Sequence, residues 1–420
     1  MWDPVSATTA DNFRVDGMVM GQESTTTRRL PAALLGYFVL VTLVITLSPF
    51  AFSIRPLFLS FWMMPSDMIA NVALFMPLGF LTRSLGQRST RPLWYDVAML
   101  TAFSVLIETA QIFIGGRVVS PIDVVTNGSG ALLGAVVRER VDRWSLWRPQ
   151  VVSRIGLDTP VVGLLYLLVP QLWLSGVGLV EDVRRSATVL LLGASGSIVL
   201  AALSRHRWHG NVQRLAKAVP VLALLWFAIG ALPTLAGAPV VFGALALVVV
   251  LTTMWLRRPD AVPRQRRFEA DTLGQFVPVF MLYLVVAALW PPLRGLVEWH
   301  GSLGLPEGLT AASRAQMLVL LEQLGGFTLL GYAAAEWRGR RELKVAEDLR
   351  QITVPVLIFA AALELVQGYL FGPGASAMRA LLSTGAALYG AAVYHLARTH
   401  VRVLRASETP LTAESDQKAA

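Results

Sequence analysis

Glu108 and Asp123 are the residues of this sequence best suited to chemistry, because each is an acid set inside an otherwise apolar stretch. An ionisable group at the centre of a membrane helix costs at least ~2.5 to 3.5 kcal/mol, so such groups mark function by default. Thr101, Ser104, Glu108 and Gln111 follow one another at spacings of 3, 4 and 3, which places them in one stripe on a helix face. Asp123, Asn127, Gly130 and Gly134 follow at 4, 3 and 4, again on one face, and Asp67 and Asn71 repeat the Asp/Asn spacing. Arg117 lies between the two stripes. Carboxylates, amide donors and one cation gathered at one place would suit a polar head group, with Arg117 facing an anionic part of it. Gly130 and Gly134 have the small-residue spacing that lets membrane helices approach closely.

The elements that must carry these residues are membrane spans. Of 420 residues, 55% are hydrophobic and only 15% charged, against about 25% charged in soluble proteins. Between Arg29 and Arg55 lie 25 uncharged residues, and about 20 suffice to cross a bilayer. The chain reads as all-α, a polytopic transmembrane helical bundle of about 12 spans. They fall near 31–54, 66–82, 97–115, 119–137, 158–179, 186–204, 217–234, 239–256, 273–292, 315–335, 352–371 and 380–397. The uncharged run from Ala218 to Leu256 is divided at Pro233 to Pro239. The first span follows nearly thirty mostly polar residues and exceeds a signal-peptide core, so no cleavable signal is expected.

Basic residues alternate along the loops: 29 of the 36 Lys/Arg fall in the tails and even-numbered loops, which puts both termini in the cytoplasm by the positive-inside rule. The net charge of +9 follows this topology, so no nucleic-acid function is expected. Zero cysteines exclude disulfides, thiolate metal sites and cysteine nucleophiles. No Walker A, H-E-x-x-H, G-x-S-x-G or G-x-G-x-x-G motif occurs, so neither cofactor nor metal is expected and an enzyme is disfavoured.

The sequence also repeats itself. Phe103–Val137 aligns without a gap on Phe359–Val393, with 10 identities in 35 positions, among them Glu108/Glu364, Gln111/Gln367, Ser120/Ser376 and Gly134/Gly390. Spans 1–4 and 9–12 therefore read as a parallel duplication of a four-helix unit around a middle four-helix module. The domains expected are a cytoplasmic tail over 1–29, a four-span domain over 30–148, a middle module over 149–268, a degenerate second four-span domain over 269–405 and a disordered tail over 406–420. In the second copy Glu364 and Gln367 persist, but Arg379 stands in place of Asp123, Ser383 in place of Asn127 and Pro373 in place of Arg117. Its electrostatics must differ.

Each candidate has a structural alternative. Ser120-Pro121-Ile122-Asp123 has the form of a helix start, and Ser66-Asp67 opens span 2 in a similar way. Glu108 could pair with Arg117 as a buried ion pair. Asn127, Gln111, Gly130 and Gly134 suit helix packing. Gln171 and Ser195 have no charged companions in their spans and read as packing residues.

Taken together, Asp67-x3-Asn71-x2-Leu74-Phe75-Met76-Pro77-Leu78-Gly79-Phe80, Glu108-x2-Gln111, Arg117 and Ser120-x2-Asp123-x3-Asn127-x2-Gly130-x3-Gly134 resemble the VanZ-like family of bacterial membrane proteins. The resemblance implies a four-span unit, named for a protein that raises tolerance to the glycopeptide teicoplanin. It is weak in the C-terminal copy and does not reach the middle spans. The expectation is a multi-pass protein of the bacterial cytoplasmic membrane and cell envelope. Its candidate ligand site is Asp67, Asn71, Glu108, Gln111, Arg117, Asp123 and Asn127, with Glu364, Gln367 and Arg379 as a degenerate second set. The expected partners are membrane lipids and a lipid-linked cell-wall precursor or glycopeptide. The alternatives are a secondary transporter or flippase with an acid-lined pathway, an intramembrane enzyme using Glu108 or Asp123 as acid/base, or a structural scaffold.

Overall fold

The structure is a computed structural model and describes residues 28–47, 50, 52–53, 60–85, 91–115, 119–146, 149–182, 185–207, 212–256, 268–289, 297–304, 314–339, 344–370 and 374–406. The expected tails over 1–29 and 406–420 fall almost wholly outside the described residues, as does Arg117. The described chain is helical: α1 (Arg28–Leu47), α2 (Pro65–Leu85), α3 (Leu93–Gln111), α4 (Pro121–Leu146), α5 (Pro149–Glu181), α6 (Ser186–Arg207), α7 (Val212–Leu235), α8 (Pro239–Leu256), α9 (Phe268–Ala288), α10 (Arg314–Arg338), α11 (Val345–Gln367) and α12 (Ala377–Ala406). Eleven of these are long and apolar enough to cross a membrane.

The exception is α4, expected as a span at 119–137. With 26 residues it has the length, but Asp123, Asn127, Ser129 and the basic stretch from Arg138 lower its hydropathy. Part of this polarity is met by neighbouring helices. Against α3 it forms an antiparallel pair, with Ser120 beside Glu108 and Asn127 beside Ser104. Against α2 it runs parallel, from Asn71 beside Thr126 to Ser84 beside Arg138.

The first span is shorter than expected. It ends at Leu47 rather than near residue 54, and Phe50 takes φ 60°, the left-handed conformation common just past a helix end. The chain then lies against the α3–α4 connection, where Phe52 bridges Ile114 and the Ser53 amide donates to the Phe113 carbonyl at 2.7 Å. Offset by 256 residues from Phe113, the Tyr369 carbonyl accepts from the Val297 amide at 2.9 Å. Beside it, two short strands, β1 (Gly301–Ser302) and β2 (Ala375–Ser376), pair in parallel. The split of the uncharged run falls where Pro233 to Pro239 indicates, with the Ala238 amide closing the turn onto the Leu235 carbonyl at 2.9 Å.

Backbone contact between α2 and α4 rests on glycine. A Cβ on Gly79 would overlap the Ala131 carbonyl oxygen, and one on Gly134 the Met76 carbonyl oxygen. The same meshing joins α10 and α12, where Gly331 faces the Ala387 carbonyl and Gly390 the Thr328 carbonyl. Neither neighbour is a flexible side-chain tip, so a larger residue must push the helices apart. Gly134→Val and Gly390→Val are each expected to lower stability by about 1–3 kcal/mol in detergent unfolding. Gly243→Ala, in open space on α8, should leave stability unchanged or slightly raised.

The middle helices α5 to α8 touch both flanking groups: α7 packs on α2, α5 on α10 and α12, and α6 on α9. Proline inside these helices frees backbone carbonyls that lipid cannot satisfy. Pro233 leaves the Ile229 carbonyl without its helical donor, and the buried Trp173 indole donates to it at 3.0 Å. This bond locks α5 to α7.

Candidate functional site

Glu108 and Gln111 lie on the last turn of α3, nearer its end than the ~10 Å that a span over 97–115 would give. Both are buried. Glu108 Oε2 accepts the Ser120 backbone N–H at 3.0 Å, one of the donors that a helix start leaves without an intrahelical partner. Gln111 Nε2 donates to the Thr46 carbonyl at 3.1 Å, one of the acceptors that the end of α1 leaves open. The Glu-x2-Gln motif thus ties α3 to the end of α1 and the start of α4. At the C-terminal end the same two bonds recur: Glu364 Oε2 accepts the Ser376 N–H at 2.9 Å, and Gln367 Nε2 donates to the Ala288 carbonyl at 2.8 Å.

Asp123, in the first turn of α4, is half-buried and lies within electrostatic reach of Glu108 and Asn71. Asp67, exposed in the first turn of α2, faces the same carboxylate and accepts from Ser66 Oγ at 3.4 Å. Asn71 also donates to Thr126 Oγ1 at 3.3 Å, and the buried Asn127 donates to Ser104 Oγ at 2.9 Å. Three helices therefore bring Asp67, Asn71, Glu108 and Asp123 together at one end of the unit. The amides of Gln111 and Asn127 are spent within the protein. Ser120 Oγ, expected as a cap, has no partner among the described residues, nor do Asp123 Oδ1 and Asn127 Oδ1. These are chiefly acceptor atoms.

The C-terminal counterpart is closed by its own cation. Arg379, 4% exposed, reaches both oxygens of Glu364 at 2.6 and 2.5 Å, the Gln367 Oε1 and the Gly374 carbonyl at 2.7 Å. Gln323 Nε2 adds bonds to Glu364 Oε1 and Ser383 Oγ, both at 3.2 Å. Ser376 Oγ accepts the Arg379 amide, the capping bond that Ser120 lacks. Gly130 and Gly134 lie on α4 against Val72 and Met76 of α2, in the packing position their spacing implies.

A second polar cluster escapes the sequence reading. Glu322 on α10 pairs with Arg185 at the start of α6 and accepts from Ser175 on α5 and, at 3.2 Å, from Tyr283 on α9. Gln171 donates to the Tyr283 hydroxyl and to the Glu322 carbonyl at 2.7 Å. All five are buried. Gln171 is thus part of a charged network rather than a solitary packing residue. Glu322 itself was the available signal, being an acid inside an apolar span like Glu108.

Among the described residues no group of three or more His, Cys, Asp or Glu is placed to hold a metal ion. Fold and site together define a multi-pass α-helical membrane protein with a polar cluster at one end of its first four helices. Residues 18–140 match the model of the VanZ/LLP1 family, so this N-terminal region, covering α1 to α3 and most of α4, is VanZ-like. No curated protein and no solved structure matches the chain.

Proposed function

We propose that the N-terminal unit binds a lipid-linked or amphiphilic component of the bacterial cell envelope at the Asp67, Asn71, Glu108 and Asp123 cluster, with Arg117 facing an anionic part of the head group, and that it thereby affects glycopeptide tolerance of the teicoplanin type. On this reading the protein sits in the cytoplasmic membrane with both termini inside, and the cluster opens outward. The supporting observation is a contrast. Where the C-terminal group holds Arg379 against its carboxylate, the N-terminal group holds a second acid, leaving Ser120, Asp123 and Asn127 oxygens without partners among the described residues. Such atoms suit a head group rich in N–H and O–H donors. The repeated Glu/Ser and Gln/carbonyl bonds support a common origin of the two four-helix groups by duplication.

The test uses Asp123→Asn and Asp123→Arg, the latter copying the resident cation of the C-terminal group. Both should retain normal abundance yet lose envelope-antibiotic tolerance, and lipids co-purifying with wild-type protein should fall about tenfold by mass spectrometry, as expected for one lost charged contact. Tolerance and lipid content equal to wild type at matched abundance would remove the site.

A further inference from the structure

A cavity of about 340 Å³ lies between the VanZ-like helices and the middle helices, at the other end of α4 from the polar cluster. Its volume is within the ~300–1,000 Å³ range of small-ligand pockets. Met76 and Phe80 of α2, Val137 of α4, Tyr166 of α5 and Leu222 and Leu225 of α7 form much of a wall that is almost wholly carbon. The one indole that could offer a donor, Trp226, spends it on the Leu165 carbonyl at 3.2 Å. A space so lined holds water poorly, because water needs two or more polar partners.

The cavity opens sideways. Val137, Leu222 and Leu225 are 37%, 42% and 55% exposed, and for a spanning bundle that outer surface faces lipid tails. One end carries a cation. The Arg138 guanidinium stands 5.7 Å from the centroid of the Phe80 ring, which lies 6.4 Å from that of Tyr166, and its Nε donates to Ser84 Oγ at 2.8 Å. Arg138 is about 26 Å along α4 from Pro121, close to the ~30 Å thickness of a hydrocarbon core, so it stands at head-group level. From Asp123 it is about 22 Å distant along the helix, too far to share one head group.

We propose that this slot holds an acyl chain of an anionic phospholipid of the surrounding bilayer, with the phosphate-bearing head group paired to Arg138. Lipid tails are as apolar as the slot, so the chain gains little by leaving the bilayer, and the preference must come from the charge.

Full-length protein in nanodiscs of equal phosphatidylglycerol and phosphatidylethanolamine, released and weighed by native mass spectrometry, tests this. Wild-type protein should retain phosphatidylglycerol over phosphatidylethanolamine. R138Q should retain about fivefold less of it, and R138K should behave as wild type. L225W fills the mouth from the exposed side without disturbing packing, and should lose both lipids whether or not R138Q folds. Equal retention of the two lipids by wild type, or undiminished phosphatidylglycerol in L225W or in folded R138Q, would overturn the proposal. These readouts are independent of Asp123, so the two sites stand or fall separately.

Discussion

Replacing Arg185 with Met is expected to lower the unfolding free energy by about 3–5 kcal/mol, because it strands the Glu322 carboxylate in a site where it is 2% exposed. Hydroxyls of Ser175 and Tyr283 still donate to that carboxylate, but neither carries a charge. Neutralising both partners removes the stranded charge. R185M/E322Q keeps an acceptor for the two hydroxyls and should lie much closer to wild type than R185M, since a buried ion pair replaced whole costs little. Equilibrium unfolding in detergent, followed by tryptophan fluorescence, reads both values. An R185M protein within about 1 kcal/mol of wild type would mean that the pair carries no such weight. Because the pair joins α6 to α10, its loss should also loosen the middle helices from the C-terminal group.

Arg379→Met is expected to cost a similar amount, about 3–5 kcal/mol, and for a related reason. The guanidinium satisfies Glu364, Gln367 and the Gly374 carbonyl at once, so its removal leaves one charge and two further acceptors buried. Adding Glu364→Gln should recover part of the loss, because the glutamine oxygen can still accept the Ser376 amide. The coupling between the two positions, read from a double-mutant cycle, should exceed 1 kcal/mol. Additive effects would show that the two residues act separately. Asp123→Asn, at the matching position of the N-terminal group, should change stability far less, since Asp123 is only half-buried and holds no cation among the described residues.

Much of the helical layout is legible from local patterns. Uncharged runs and the breaker between Pro233 and Pro239 locate the succession of helices, because a span must be largely apolar. Charged flanks lengthen several of them: α4 runs to Leu146 rather than 137, α5 starts at Pro149 rather than 158, α11 at Val345 rather than 352, and α12 continues to Ala406 rather than 397. Where the reading slipped, a local signal was outweighed. The run stays uncharged to residue 54, which predicts a longer span 1, yet the described helix reaches Leu47 and Phe50 already lies outside it. Hydropathy carries no information about a helix end inside an apolar stretch.

The candidate site was legible in part. Spacing put Glu108 and Gln111 on one face of α3, and Asp67, Asn71, Glu108 and Asp123 do meet. What each side chain does there is another matter. Gln111 and Gln367 serve helix ends, and Arg379, read as a degenerate remnant, is the fully engaged centre of its own cluster. Gln171 looked solitary because its partners, Tyr283 and Glu322, are more than a hundred residues away.

By itself, then, the sequence determined the membrane class, the helix succession and which residues share a face, since these depend on composition and on a 3.6-residue period within one segment. Only the tertiary structure decided which polar groups are consumed and which are left over. A hydrogen bond in a dry interior is worth making with whichever partner stands within about 3 Å, and that partner is set by helix packing rather than by neighbours along the chain.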